Sequence, residues 1–309
     1  MTEGKGINYL QIFQEDSRYG TPGNQRVSLI YARECYDGLP TLEIGAWGEE
    51  KYRHVQLYAS LFVKSMRTKW DALVYLDLFA GSGRSQIRGT RRIVNASPLL
   101  VLGISEAFDQ YIFCEGDKNS AQALETRCQR DFSDRKVKII WGNANTSVKN
   151  IIAEMPQPGR NQKVLGFCFL DPFQMQNLCF STIEILSQRF MDFLVLIPSS
   201  MDANRNEQHY IHPRNKTLEN FVGNPDWRTQ WSKEKASGKS FEHFVVEEFG
   251  RSMQTLGYIA PGLKEAIMIR SDDKNLPLYR LALYSKHKLA PKFWKETKKY
   301  LDPQTGFEF

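Results

Sequence analysis

Long apolar runs, metal-ligand clusters and paired cysteines are all scarce in this chain of 309 residues. No uninterrupted apolar run approaches the ~18 residues of a membrane-spanning helix. The opening "MTEGKGINYLQIF" lacks the basic-then-apolar order of a secretory signal. The expectation is a soluble, cytoplasmic protein without a membrane partner. Cysteines number five (Cys35, Cys114, Cys128, Cys168 and Cys179), an odd count with no CxxC spacing. That argues against a disulfide framework, a zinc site or an iron–sulfur cluster, and for reduced thiols in a core. His209 and His212 form an HxxH, but no cysteine or acidic pair accompanies them, so no metal is assigned. Neither the PD-(D/E)xK spacing nor the HNH cluster of a nuclease occurs. With 41% hydrophobic and 25% charged residues, and no repeat, the chain is neither disordered nor collagen-like. A net charge of +6 is compatible with a nucleic-acid partner without identifying one.

What the chain does have is a regular alternation. "WGEEKYRHVQLYASLFVKSM", Trp47 to Met66, sets Tyr52, Val55, Ala59, Phe62, Val63 and Met66 at helical spacing. Lys51 and His54, one turn apart on this helix, read either as groups over a cofactor pocket or as part of its solvated face. Strand-like runs follow: "ALVYLDLFA", "QYIFCEGD", "VKIIWGNA", "KVLGFCFLDPF" and "DFLVLIPS". Between them lie helical stretches, "SPLLVLGISEAF", "NSAQALETRCQRDF", "TSVKNIIAEM" and "FSTIEILSQRF". The strands are near-continuous apolar runs, as when helices cover both faces of a sheet. The series predicts an α/β fold with a doubly wound, mostly parallel sheet.

After Ser200 a polar stretch at about 201–240 reads as an inserted lid or substrate segment. A helix resumes at "SFEHFVVEEFGRSMQTLG", with Ser240 as N-cap and Gly257 as terminator. "EAIMIR" and "LYRLALYS" are close enough to form an antiparallel hairpin. Five βα strands followed by such a pair is the layout of the class I methyltransferase (Rossmann-like) fold. The closing basic helix carries Lys286, Lys288, Lys292, Lys295, Lys298 and Lys299, either a phosphate-tracking surface or a plain solvated face. The domain reading is an N-terminal extension over 1–45, the main domain over 46–300 and a tail over 301–309.

Chemistry concentrates at the strand ends. "LDLFAGSGR", Leu76 to Arg84, runs a strand carrying Asp77 into Ala80, Gly81 and Gly83, a turn where backbone can approach a ligand. In doubly wound sheets ligands bind beyond the carboxyl ends of the strands. Asp77, costly to bury alone, wants a donor such as the methionyl ammonium of S-adenosylmethionine. Glu115, with Asp117 just after it, ends the second strand, where a carboxylate can take ribose hydroxyls. "GNAN" ends the third, placing Asn143 and Ala144 beside an adenine. Asp171, Pro172 and Phe173 end the fourth, where methyltransferases keep catalytic or substrate-contacting groups. The next helix is expected to begin with Ser97 as N-cap, beyond the glycine turn, which argues against a pyrophosphate ligand. The intervening "RSQIRGTRRIVNA" holds Arg84 and Arg88, which either clamp a substrate phosphate or carboxylate or sit on a solvated polar loop.

"GLPTLEIGAWGEEKYRH", "YLDLFAGSGR", "ASPLLVLG", "YIFCEGD", "FLDPFQMQ" and "LYSKHKLAPKFWKE" resemble, in order from Leu39 to Lys295, the bacterial three-Cys-motif partner (TcmP) family. The family's name refers to cysteines of a neighbouring radical-type S-adenosylmethionine protein. The resemblance implies a methyltransferase-like protein with that radical-type protein as partner. "LDLFAGSG" also resembles nucleic-acid methyltransferases that modify exocyclic amino groups through a DPPY-type tetrapeptide. Here Asp171-Pro172-Phe173 is followed by Gln174, so the second proline is missing, and Asn143 stands where aspartate is usual. Two functions stay open: an S-adenosylmethionine-dependent methyltransferase acting on nucleic acid or on a partner enzyme's product, and a non-catalytic scaffold binding a partner protein or nucleic acid.

Overall fold

In the computed structural model of the chain, residues 36–200, 204–271 and 275–301 are described. Cys35, most of the expected N-terminal extension and the tail from 302 lie outside them. The elements begin with β1 (Leu42–Ile44), α1 (Trp47–Met66), β2 (Ala72–Asp77), β3 (Arg84–Ile87), β4 (Ile93–Asn95) and α2 (Ser97–Leu102). Then come β5 (Gln110–Glu115), α3 (Lys118–Asp131), β6 (Val137–Trp141), α4 (Ala144–Glu154), β7 (Val164–Leu170), α5 (Phe180–Leu186) and β8 (Met191–Ile197). Four helices follow, α6 (Asn204–Ile211), α7 (Thr217–Val222), α8 (Trp227–Ala236) and α9 (Phe241–Thr255), before β9 (Ile267–Arg270), β10 (Pro277–Tyr284) and α10 (Ala290–Leu301).

Seven strands make the central sheet, in the order β6-β5-β2-β7-β8-β10-β9. The first five named are mutually parallel, while β10 runs antiparallel to β8 and to β9. This is the doubly wound α/β sheet of the class I methyltransferase type, with its C-terminal antiparallel hairpin. Strand β2 shows why its sequence is apolar throughout. Successive side chains point to opposite faces, so Leu73 and Tyr75 join one core with Val55, Phe62 and Trp294, whereas Val74 and Leu76 join another with Ile151, Ile183 and Phe244. Each such burial contributes roughly 1.5–3 kcal/mol.

The segment 204–240 packs onto the second of these cores through Tyr210, Leu218, Phe221, Trp227 and Trp231. Helix α9 starts as expected, the Ser240 hydroxyl accepting from the His243 N–H, and Gly257 follows its end at φ 82°. Cys114, Cys128 and Cys168 are buried free thiols, and burial pushes Cys114 and Cys128 up to about 12.

Two local features depart from the sequence reading. The stretch after Arg84 is not a polar loop but the hairpin β3–β4, and β1 pairs with it in parallel. Ile87, Ile93 and Val94 are buried, Gly89 takes the turn at φ 72°, and the Thr90 hydroxyl donates to the Ile87 carbonyl. Helix α2 is preceded by Ala96, not capped by Ser97, because the Ser97 hydroxyl is given to Asp77 instead.

Candidate cofactor cleft

The chain builds outward from β2 to β6, then returns to the other side of β2 to lay down β7. The carboxyl ends of β2 and β7 mark this reversal, where doubly wound sheets hold ligands. A cleft of about 560 Å³ lies there, within the ~300–1,000 Å³ usual for small-molecule sites. It is lined by Leu78 to Ser82 after β2, Glu115 and Gly116 after β5, Gly142 to Ala144 after β6, and Asp171 to Gln174 after β7. Residues from β1, α1, the β3–β4 hairpin and β10 complete it. None of the described residues of 204–240 lines it; they pack on the core instead.

The glycine turn and Glu115 meet directly. Gly81 takes φ 62°, and its N–H donates to Glu115 Oε2 at 2.7 Å. Glu115 Oε1 accepts from the Asp117 N–H at 2.8 Å. A Cβ on Gly81 would stand 3.2 Å from Leu42 Cδ1, so β1 crowds the turn from the other side. Gly83 serves packing: it lies outside the cleft lining at φ 84°, where a Cβ would come within 2.8 Å of Leu124. Asn143 and Ala144 both line the cleft, and Asn143 Oδ1 also caps α4 by accepting from the Asn145 N–H. Asp117 lies off the cleft lining and exposed, its carboxylate capping α3 by accepting from the Ser120 N–H.

Asp77 sits one layer below the cleft. It is fully buried and accepts from the Ser97 hydroxyl at 2.7 Å and the Phe79 N–H at 3.2 Å. Burial pushes its carboxyl up to about 7; the Ser97 hydroxyl opposes this, the Asp171 charge adds to it, and Lys51 pulls it down. The chain itself thus supplies donors to this carboxylate, from Ser97, Phe79 and Tyr75, and of these Ser97 lines the cleft.

Lys51, which the sequence left between a cofactor pocket and a solvated face, lines the cleft. Lys51 and His54 are both buried. Their positions share an arc with Val55, Tyr58 and Phe62, so counting Tyr58 and Phe62 as one stripe at i+7 and i+11 from Lys51 would have revealed it. Lys51 forms an ion pair with Asp171, and its Nζ stands 5.5 Å from the Trp47 ring centre and 4.7 Å from that of Tyr52. Burial alone would lower the ammonium's pKa, but the Asp171 carboxylate holds it above the ordinary lysine range. Beside the pair, Pro172 lines the cleft, and Phe173 projects from its rim 78% exposed.

The two arginines part company. Arg84 is buried outside the cleft lining, ion-paired to Asp37 at 3.0 Å and Asp131 at 3.4 Å, so it clamps the fold and not a substrate. Arg88 reaches the cleft and pairs there with Glu43 at 2.9 Å. No helix of the described residues is long and apolar enough to cross a membrane.

No family model matches the chain, and no curated protein matches it. Similar solved structures include a Legionella pneumophila protein (11% identity, 81% of this chain and 91% of that one, TM-score 0.48). An O-methyltransferase from Bacillus cereus in complex with SAH is 12% identical over 89% of this chain and 97% of that one, TM-score 0.45. Trm1 from Pyrococcus horikoshii with S-adenosyl-L-methionine is 11% identical over 81% of this chain and 58% of that one, TM-score 0.39. At these identities and scores the likeness lies in the α/β architecture and in nothing that separates one activity from another.

Proposed function

We propose that this protein is an S-adenosylmethionine-dependent methyltransferase of the kind the three-Cys-motif partner family represents. The observation that carries the proposal is the convergence of the glycine turn and Glu115, through the Gly81 N–H, on a cleft at the reversal of strand order. The residues present fit the cofactor. Glu115 keeps a lone pair on each oxygen for ribose hydroxyls beyond its two backbone donors. Asn143 offers an amide oxygen for the adenine amino group at the end of β6. Ala80 and Gly81 leave backbone, not side chains, against the methionyl end. When bound, S-adenosylmethionine supplies a methyl group on a sulfonium, which passes to an acceptor lone pair and leaves S-adenosylhomocysteine. The chain's own task is to hold that acceptor in line, a matter of positioning more than acid–base chemistry. Asp171, Pro172 and the exposed Phe173 are the groups assigned to it, with Arg88 on the lining of the same cleft.

The acceptor class we propose is a nucleic acid or the product of a radical-type partner enzyme, on the motif resemblance alone. A second reading, a non-catalytic scaffold for a partner protein or nucleic acid, gains from one observation: Asp171, the polar residue of the DPPY-like tetrapeptide, is already engaged by Lys51. Titration calorimetry with S-adenosylmethionine and S-adenosylhomocysteine tests the cofactor assignment. Micromolar binding of both, lost in Glu115→Ala, is expected, and no heat from either overturns it. Binding without methyl incorporation into nucleic acid, protein or small-molecule pools selects the scaffold reading.

A further inference from the structure

Lys51 stands on the cleft wall with its bonding incomplete. An ammonium has three N–H donors, and among the described residues Asp171 is the sole hydrogen-bond acceptor recorded for it. Two donors are left over on a side chain only 5% exposed, on the wall of the cleft, with the rings of Trp47 and Tyr52 close by. Aromatic faces soften the burial of a cation but accept no conventional hydrogen bond from it. Among the described residues Asp171, at 16% exposed, is likewise met by Lys51 alone, which leaves most of its acceptor positions open to the same cleft. A buried ion pair with unmet donors and acceptors is a poor structural device, because desolvation is repaid only when the remaining groups are also satisfied.

We propose that the Lys51–Asp171 pair receives the charged end of an α-amino acid, Lys51 taking its carboxylate and Asp171 its ammonium. The four charges then alternate around a ring, and the leftover donors and acceptors of both side chains are used. This rests on the S-adenosylmethionine reading of the cleft, whose methionyl end is such a zwitterion. Placement agrees: β7 pairs with β2, Phe169 opposite Asp77, so Asp171 just past the end of β7 stands at the same sheet edge as the glycine turn that follows β2, and both line the cleft. Asp171 thereby becomes a cofactor-binding group as well as a neighbour of the acceptor. Lys51 becomes a binding residue on α1, outside the motifs that mark the strand ends.

Calorimetry on the full chain separates this proposal from the one beneath it. The ligands are S-adenosylhomocysteine, its decarboxylated analogue and its deaminated analogue, each titrated into wild type, Lys51→Met and Asp171→Asn. In wild type, each truncated ligand is expected to bind ~10- to 100-fold more weakly, the usual weight of one charge-assisted contact. Lys51→Met should bind the parent and the decarboxylated ligand equally, and Asp171→Asn the parent and the deaminated one. If wild type binds all three ligands with the same affinity, the zwitterion assignment is wrong while the adenosyl cleft stands. If none of the three binds, the cofactor reading fails and takes this inference with it.

Discussion

Arg127 and Lys51 are both buried cations facing carboxylates, and they are treated in opposite ways. Arg127, on α3, has all five N–H donors used: two go to Asp37, and the rest to the carbonyls of Leu39, Pro40 and Ser82. It stitches the start of the described chain to the glycine turn, and its guanidinium holds the Asp37 carboxyl well below the usual carboxylate range. Among the described residues Lys51 has a single acceptor, and it stands on the cleft wall. A buried charge saturated by its own chain is architecture; one left with unspent donors beside an open cleft is recognition.

The largest expected effect breaks the saturated side of the comparison. Arg127→Met takes two hydrogen bonds from Asp37, leaving it Arg84 and Arg130, and strands the carbonyls of Leu39, Pro40 and Ser82; it should cost about 3–5 kcal/mol in urea unfolding. A loss under about 1 kcal/mol would show that the network is not structural.

The next effect concerns Asp77, on which Lys51 and Asp171 act with opposite sign. Its folded carboxyl, near 7, lies above its ordinary value of 3.8, so the folded state binds the proton more tightly than the unfolded one. Its contribution to stability is thus full below about pH 4 and is lost as pH rises through 7, by up to roughly 4 kcal/mol. The stability advantage of wild type over Asp77→Asn should therefore shrink between pH 5 and pH 8. A gap that stays constant would mean that Asp77 ionises freely. Asp192, pushed up to about 6 by burial, adds a slope of the same sign over a slightly lower window and is common to both proteins.

The smallest effect falls on Lys51. Because Asp171 opens to the cleft and water can solvate it, Lys51→Met should cost only about 1 kcal/mol of stability. A loss as large as that of Arg127→Met would place the pair with the architecture after all.

How legible all this was in the sequence depended on how each residue is satisfied. The strands of the central sheet were plain, because a strand buried on both faces must be apolar at every position. Glu115, Asn143 and Asp171 were plain too, because a polar residue ending such a strand stands out. The hairpin β3–β4 was hidden: "RSQI" spends Arg84 on ion pairs, Ser85 on the cleft wall and Gln86 on the Thr90 carbonyl at the turn, so it lacks the alternation of a half-buried strand. Asp77 and Gly83 were placed in the right neighbourhood but one layer off, since a carboxylate bonded to a serine twenty residues on looks in sequence like one waiting for a ligand. Lys51 stayed between a pocket and a solvated face because a lysine on a helix is usually solvated; its place on the Tyr58 and Phe62 stripe and its long-range partner Asp171 decide it.

A structure of the protein soaked with S-adenosylhomocysteine puts the central claim to its most direct test. The ribose should lie against Glu115, the adenine beside Asn143, and the amino-acid end at the turn near Lys51 and Asp171. Ligand density elsewhere on the molecule, or a cleft in which Glu115 makes no contact with the ribose, would contradict it.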